Sequence, residues 1–383
     1  MRVQSFHASS DRACGIALFS NHLKAALVAY DIQIEECGLA GAATVRKGPA
    51  RLLHYVPSSF ASPRSSASLI RFLRGQDSDE NLSVILHGLF RPGETRFRLD
   101  SIASEQETHI RLILEKATSI VCLSPAVEQA TRAWQSYLQT PASMIQLDHP
   151  GLFAAAGVGD VQHRYVLVGG IGRAKKDPGA AATRDLITHC EASGVRVWQH
   201  WTNRSSMDPI ARSWRHSYGV LSDNAWSAMV SGAHVVMCPY DTRVQSVSGV
   251  ISEALSAGRF VLATGFEIAC EMNRRDPSAV RIENELSRWP GILNELCSVR
   301  PRVSTRIPTW SEFGAGLSDL LKSARPANYG YLPDDRRPAF ASPGDAHGRD
   351  AVWCRARAGM PALQAQASHR PMGPALSGLP NDH

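Results

Sequence analysis

A polar turn between two apolar segments, within residues 238–264, holds the residue types best suited to binding chemistry. The stretch reads as a strand, a Gly/Ser turn, a helix that begins at Ser248-Gly-Val, and a second strand. A helix N-terminus carries amide groups without carbonyl partners, so a phosphate or a sugar hydroxyl could bind there. Glu253 follows just over one turn into this helix, at about 1.5 Å per residue. The pattern therefore predicts a ligand-binding turn with a carboxylate beside it.

A second glycine-rich turn, residues 169–178, follows a buried strand predicted at residues 165–170. Its glycines permit close approach of the backbone, and Arg173, Lys175 and Lys176 add positive charge directly before a predicted helix. Such cations would hold a diphosphate, the arginine through its planar fork and the lysines as point charges. The alternative is a solvated loop whose charges face water. Because ligands bind at the carboxyl ends of parallel strands, we favour a functional role.

The elements that must position these residues alternate between strands and helices. A buried strand at residues 84–86 ends at His87, a polar helix follows at residues 104–117, and another buried strand begins at Ser119. Residues 222–232 have the signals of a capped helix and lead into a strand. Strands that alternate with helices predict parallel βαβ units, and therefore an α/β fold.

The chain of 383 residues with 44% hydrophobic content is long enough for two domains of typical size. We predict a first domain over residues 1–157 and a second over 158–308, with a linker near residues 154–160 and a last helix at 309–322. Residues 323–383 are rich in Pro, Gly, Arg and Asp and lose apolar periodicity. Such a segment cannot bury enough surface to offset chain entropy, so we predict a disordered tail.

Composition narrows the class of protein further. The net charge is +6, but no basic block is accompanied by aromatics or a nucleic-acid module, so we expect no nucleic-acid partner. No secretory signal is recognisable, and no apolar run approaches the ~20 residues that span a bilayer. The eight cysteines have no metal-ligand spacing, which indicates reduced thiols in the cytoplasm and no structural zinc. The composition leaves open the alternative that a basic surface of the protein contacts the inner face of a membrane.

Two further features receive structural interpretations. Asp77-Ser-Asp79 has the spacing of a metal–diphosphate motif, but it sits in a polar loop and not after an apolar strand. We therefore expect neither a metal nor a cofactor. Four tryptophans are interpreted as core or interdomain packing because they lie in or beside predicted elements: Trp198, Trp201, Trp214 and Trp226.

An ordered series of motifs over most of residues 1–322 resembles the retaining glycosyltransferases of family 4, which have the two-domain GT-B fold. Each motif is moderately specific, and their order makes the resemblance strong. The motifs are Arg12-Ala-Cys-Gly-Ile-Ala-Leu-Phe-Ser-Asn-His-Leu, Leu86-His-Gly-Leu-Phe-Arg-Pro, Ser124-Pro-Ala-Val, Asp148-His-Pro-Gly-Leu, Gly219-Val-Leu-Ser-Asp, Cys238-Pro-Tyr, Ser248-Gly-Val-Ile-Ser-Glu-Ala-Leu-Ser-Ala-Gly and Trp310.

The resemblance implies two Rossmann-like domains joined by a crossover helix. It implies transfer of a sugar from a nucleotide-sugar donor to an acceptor hydroxyl with retention at the anomeric carbon, in polysaccharide or glycolipid synthesis. The donor would be held mainly by the second domain, and a glycan or lipid-linked acceptor by the first. The resemblance also implies that positive groups and amides stabilise the departing diphosphate without a metal.

Site roles follow from the matching motifs. His87 would line the donor-sugar pocket and position the reacting centre, and Arg173 and Lys176 would neutralise the diphosphate. The family spacing does not decide between Lys175 and Lys176, and we favour Lys176. The remaining donor-binding residues implied by the resemblance are Gly15 near the diphosphate, Ser248, Gly249 and Val250 through their amides, Glu253 on the ribose hydroxyls, and Gln245.

Gln245 stands where the family often has a glutamate, eight positions before Glu253. An amide can bond a sugar hydroxyl but brings no negative charge to an oxocarbenium-like centre. Part of the family shares this Gln, so we interpret the chain as an active member of a subgroup. The alternatives are a non-catalytic nucleotide-sugar-binding protein and a sugar-nucleotide epimerase or phosphorylase of the same fold.

Overall fold

A computed structural model describes eleven segments of the chain. Residues 1–328 form one compact unit, and the segments lie within it. The predicted linker, the basic residues Arg173, Lys175 and Lys176, Gln245 and the predicted disordered tail beyond Ser323 lie outside the described residues. The described segments are residues 1–7, 15–39, 50–60, 62–77, 81–93, 100–152, 165–170, 180–201, 214–240, 248–301 and 306–323.

The first half of the chain forms a parallel sheet of six strands in the order β2-β1-β3-β4-β5-β6. Its inner strands β3, β4 and β5 are buried throughout, whereas the edge strand β2 is largely exposed. The strands are β1 (Arg2–His7), β2 (Gln33–Gly38), β3 (Ala50–Tyr55), β4 (Leu82–Leu86), β5 (Ser119–Cys122) and β6 (Met144–Gln146). The helices are α1 (Gly15–Val28), α2 (Pro63–Arg74), α3 (Asp100–Lys116) and α4 (Pro125–Leu138).

The second half repeats the architecture with a six-stranded parallel sheet in the order β12-β11-β10-β7-β8-β9. Its strands are β7 (Val166–Gly170), β8 (Val197–Trp201), β9 (Arg215–Tyr218), β10 (Val235–Cys238), β11 (Phe260–Ala263) and β12 (Val280–Ile282). Its helices are α5 (Ala180–Ala192), α6 (Asp223–Gly232), α7 (Gly249–Ser256), α8 (Glu267–Arg275) and α9 (Trp289–Ser298), and the chain continues into α10 (Trp310–Ser323). The predicted α/β class with two Rossmann-like sheets is confirmed.

Local sequence explains where several helices begin. Ser124 caps α4 by accepting a hydrogen bond from the Val127 amide, and Pro125 occupies the first helical position. Ser222 caps α6 in the same way. The helix predicted at residues 222–232 is present as α6, and α10 ends one residue beyond the predicted 322.

The last helix, α10, returns to the first sheet and packs on α1. Phe313, Leu317 and Leu321 are buried in the same apolar cluster as residues of α1. At Gly314 a Cβ atom would lie 3.2 Å from Cβ of Ala26, so the glycine lets the two helices approach closely. This packing is that of the predicted crossover helix.

Trp214 departs only in part from the interpretation of the tryptophans as packing residues. Trp201 is 2% exposed, whereas Trp214 is 45% exposed, immediately before the edge strand β9. The ring of Trp214 nevertheless packs against that of Tyr165, with centroids 5.9 Å apart. Among the described helices, none is both long enough and apolar enough to cross a lipid bilayer.

Replacing Gly169 by alanine should destabilise the second sheet. Gly169 pairs with His200 in register, and a Cβ atom there would overlap the carbonyl oxygen of His200. We expect Gly169→Ala to lower the free energy of unfolding by about 1–3 kcal/mol, measured by urea denaturation. Gly38→Ala is the matched strand control, since no atom of the described residues lies within 4 Å of its Cβ position. Equal stability of the two variants would contradict the packing argument.

Candidate active site

Three histidines lie together near the carboxyl edge of the first sheet. His7 ends β1, His54 is in β3 and His87 follows β4 directly. Since β1, β3 and β4 are adjacent parallel strands, these residues share one edge of the sheet. Nδ1 of His54 lies 3.3 Å from Nε2 of His87, and the rings of His7 and His54 meet edge to face at 6.3 Å.

Phe19 of α1 is the aromatic centre of this region and is 3% exposed. Its ring centroid lies 4.5 Å from that of His87, 5.3 Å from that of His149 and 4.9 Å from that of Trp310. Trp310 begins α10, and His149 follows β6 by three residues. A single phenylalanine thus contacts residues from the first sheet, from the segment that leaves it, and from the crossover helix.

Burial keeps His54 and His87 neutral. Loss of solvation, with a smaller contribution from the neighbouring His7, lowers the pKa of His54 to about 3. Burial also holds the pKa of His87 well below its usual range, with smaller contributions from His54 and His149. At neutral pH each of these two imidazoles therefore carries a single N–H proton, on one of its two ring nitrogens.

His149 connects this cluster to the second sheet. A Cβ atom at Gly249 would lie 3.2 Å from Cε1 of His149 and 3.8 Å from Oε1 of Glu253. Any larger side chain at Gly249 would press against the imidazole, so the glycine permits the approach. Nδ1 of His149 lies 2.9 Å from the Pro150 carbonyl oxygen. A carbonyl can only accept, so Nδ1 of His149 carries a proton.

The N-terminus of α7 faces this contact. Its N-cap Ser248 is buried and makes no capping hydrogen bond to the first turn, so the first amides lack a partner from the cap side chain. Val250 is buried as well. The role of Ser248 and Val250 as backbone donors to a ligand stays a prediction.

Glu253 is held by a tryptophan. Nε1 of Trp226 in α6 donates a hydrogen bond of 2.6 Å to Oε2 of Glu253. The Trp226 ring lies 5.9 Å from that of His200, which is in β8. This hydrogen bond orients the carboxylate with its other oxygen near Gly249.

Charged groups anchor the segment that carries His149. Arg275 of α8 lies 2.7 Å from Oδ2 of Asp148 and also pairs with Glu271. Burial raises the pKa of Glu271 to about 7, against the lowering effect of Arg275. A Cβ atom at Gly151 would overlap the hydroxyl of Ser256 at the end of α7. Close packing and ion pairs thus fix residues 148–151 against the second sheet.

The structure brings together most of the predicted site residues that it describes. Of these, His87 lies on one side, against the ring of Phe19, which was not predicted, and Ser248, Gly249, Val250 and Glu253 lie on the other side of His149. Gly15 is the first residue of α1, about one helical turn before Phe19. The described residues form no His, Cys, Asp or Glu cluster suited to a metal.

Several participants were missed from the sequence, among them Phe19 and His7. His149 lies within a quoted motif but received no role, and Trp226 was assigned to packing alone. His54 could have been noticed, because it is a polar residue in the buried strand Ala50–Tyr55. Ser20 lies on α1 without a distinguishing signal, since a serine in a helix is common.

Comparisons with known proteins support the fold. No protein-family model matches the chain, and no curated protein sequence matches it. Anabaena HepE in complex with UDP and glucose is similar in structure, with a TM-score of 0.58 and 12% identity over 84% of this chain and 100% of that chain. An alpha-glucosyltransferase in complex with UDP-glucose and DNA containing an abasic site gives a TM-score of 0.52 and 9% identity over 85% of this chain and 96% of that chain. The chain therefore has the GT-B fold.

Acid should destabilise the protein through its buried histidines. Unfolded histidine has a pKa near 6.5, and the folded value of His54 is lowered, so the unfolded chain binds more protons as the pH falls below about 6.5. Stability should then fall by up to about 1.4 kcal/mol per pH unit for each such histidine. We expect His54→Gln to have a shallower dependence in urea denaturation between pH 7 and 4.

His216→Gln is the matched control for this measurement because His216 is exposed. Its pH dependence should follow that of the unsubstituted protein. An unchanged slope in His54→Gln would show that His54 does not remain neutral in the folded state.

Proposed function

We propose that the protein is a retaining glycosyltransferase that moves a sugar from a nucleotide-sugar donor to an acceptor hydroxyl. One observation carries the proposal: the His149 imidazole lies against Phe19 beside His87 and against Gly249 beside Glu253. Neutral imidazoles from the first sheet and a helix N-terminus with a carboxylate from the second are thereby placed around one point. Those groups suit a sugar and a nucleotide diphosphate respectively.

The donor would bind mainly to the second half of the chain. The amides at Ser248, Gly249 and Val250 suit a phosphate, and the carboxylate of Glu253 suits the paired hydroxyls of a ribose. Arg173 and Lys176 would add the positive charge that stabilises the departing diphosphate, with no need for a metal. Gly15 and Gln245 would complete the donor contacts. The UDP and UDP-glucose present in the solved structures of similar fold support this donor class.

A neutral His87 suits the chemistry of the transfer. The bond from the anomeric carbon to the diphosphate oxygen breaks, and a bond to the acceptor oxygen forms. Positive charge develops on the sugar ring as the diphosphate leaves, and a protonated imidazole nearby would repel it. A neutral imidazole can position the sugar by a hydrogen bond without that penalty. The departing diphosphate oxygen can take the acceptor proton.

For the acceptor, we propose its chemical class. A glycan or lipid-linked acceptor in polysaccharide or glycolipid synthesis fits a family-4-like enzyme. We propose a cytoplasmic protein that works at the inner face of the membrane. Gln245 favours one second candidate, a binding protein that retains the donor site without catalysis, because an amide brings no negative charge to the reacting centre.

Binding of nucleoside diphosphates tests the donor site. Calorimetric titration with UDP, GDP, ADP and TDP should show a clear preference for one of them. Glu253→Gln should weaken that binding about 10-fold or more, because a charge-assisted hydrogen bond contributes about 1.5–3 kcal/mol. Gln keeps an acceptor for Trp226 and so preserves the local packing. Glu295→Gln, on the exposed side of α9, is the control and should bind normally. A folded protein that binds none of the four would refute the proposal.

Catalysis is tested with the sugar nucleotide of the preferred base. In slow donor hydrolysis without an acceptor, proton NMR should show first the anomer that the donor carries. His87→Ala should reduce the rate about 10- to 100-fold, the equivalent of one strong hydrogen bond. His216→Ala should leave the rate unchanged. Tight diphosphate binding with no turnover of any sugar nucleotide would favour the non-catalytic candidate.

A further inference from the structure

His54 is a buried polar group that the proposed transfer does not use. Its side chain is 1% exposed in β3, and the Ser20 hydroxyl of α1, also 1% exposed, lies 3.4 Å from its Nε2 atom. Its other nitrogen, Nδ1, lies 3.3 Å from Nε2 of His87. One imidazole therefore joins a buried hydroxyl to the histidine proposed to position the sugar.

The surroundings of His54 keep it neutral. His7 meets its ring from β1, Phe19 from α1, and His87 from the end of β4. Burial lowers its pKa to about 3, so at neutral pH the ring has one N–H donor and one acceptor nitrogen. The nitrogen of His54 that holds the proton then determines whether Nε2 of His87 accepts or donates the hydrogen bond between the two rings.

The Ser20 hydroxyl decides the direction of the chain of hydrogen bonds. In the part of the chain that the structure describes, His54 is the hydrogen-bond partner of the Ser20 side chain. If Ser20 only accepted, its buried O–H would have no acceptor, which is unfavourable. Ser20 donating to Nε2 satisfies the hydroxyl and places the proton of His54 on Nδ1. Nδ1–H then donates to Nε2 of His87.

We propose that Ser20 and His54 form a directed chain of hydrogen bonds that fixes His87 as its Nδ1–H tautomer. His54 is then a positioning residue for the transfer, which makes this part of the inference rest on the proposed function. With Nε2 occupied as an acceptor, Nδ1–H is the donor that His87 has left for an oxygen of the sugar. A His87 of the opposite tautomer could not give that hydrogen bond.

The tautomer can be measured without any ligand. In protein labelled with ¹⁵N in its histidine rings, long-range ¹H–¹⁵N correlation spectra distinguish the two neutral tautomers. We expect His87 to be in the Nδ1–H form in the unsubstituted protein. Ser20→Ala removes the donor at the far end of the chain, and His87 should then populate both tautomers. His54→Phe removes the middle of the chain and should do the same.

Ser83→Ala is the matched control for Ser20→Ala. Ser83 is a fully buried serine in β4 whose hydroxyl pairs with that of Ser119 at 2.9 Å. Its removal tests the general effect of losing a buried hydroxyl near the same sheet. The tautomer of His87 should be unchanged in this variant.

Kinetics separate positioning from binding. Ser20→Ala should lower kcat about 10-fold, at the low end of the effect seen when partners that orient functional histidines are removed, and leave diphosphate affinity unchanged. An Nε2–H tautomer in the unsubstituted protein, or an unchanged tautomer in both Ser20→Ala and His54→Phe, would overturn the chain of hydrogen bonds.

The outcome distinguishes this inference from the proposed function. The predicted tautomer in a protein that binds no nucleoside diphosphate would uphold the hydrogen-bond chain and refute its role in transfer. Normal diphosphate binding with a mixture of His87 tautomers in the unsubstituted protein would have the opposite meaning. It would support the donor site and refute the chain of hydrogen bonds.

Discussion

The close approach of the His149 imidazole to the N-terminus of α7 at Gly249 is the contact on which the candidate site depends. It places the end of the first sheet against the start of a helix from the second, where no side chain intervenes. The ion pair between Asp148 and Arg275 and the packing of Gly151 on Ser256 hold the same segment from either side. Without this contact, the histidines and Glu253 would belong to two separate surfaces.

Burial gives the histidines their chemical character. A charged imidazole in this environment would lose solvation that no described carboxylate at the ring replaces, so the neutral form is favoured. Stability at low pH is the cost of that arrangement. The gain is a set of neutral hydrogen-bonding groups that do not oppose positive charge on a sugar. The same burial makes tautomer, instead of protonation, the variable that local hydrogen bonds must control.

The fold could be predicted from the sequence because it depends on patterns that are local in the chain. Buried strands, capped helices and the apolar spacing of α10 are each visible in a short window, and their alternation indicates parallel sheets. Parts of the site were predictable for a similar reason, since Gly249 and Glu253 lie in one strand–turn–helix segment. His149, Trp226 and Ser20 could not be assigned because their partners lie 100, 27 and 34 positions away. Such contacts depend on how elements pack.

Trp226 illustrates why packing and function are not alternatives at such positions. Its ring packs against the core of the second sheet, as the sequence indicated, while its indole N–H donates to Glu253. The packing restricts the ring, and the restricted ring fixes the carboxylate. Phe19 acts in the same way in the first sheet, where α10 packs on α1 and Phe19 in turn contacts His54, His87 and His149. The crossover helix therefore contributes to the geometry of the histidines through Phe19, as well as to the packing of the first sheet.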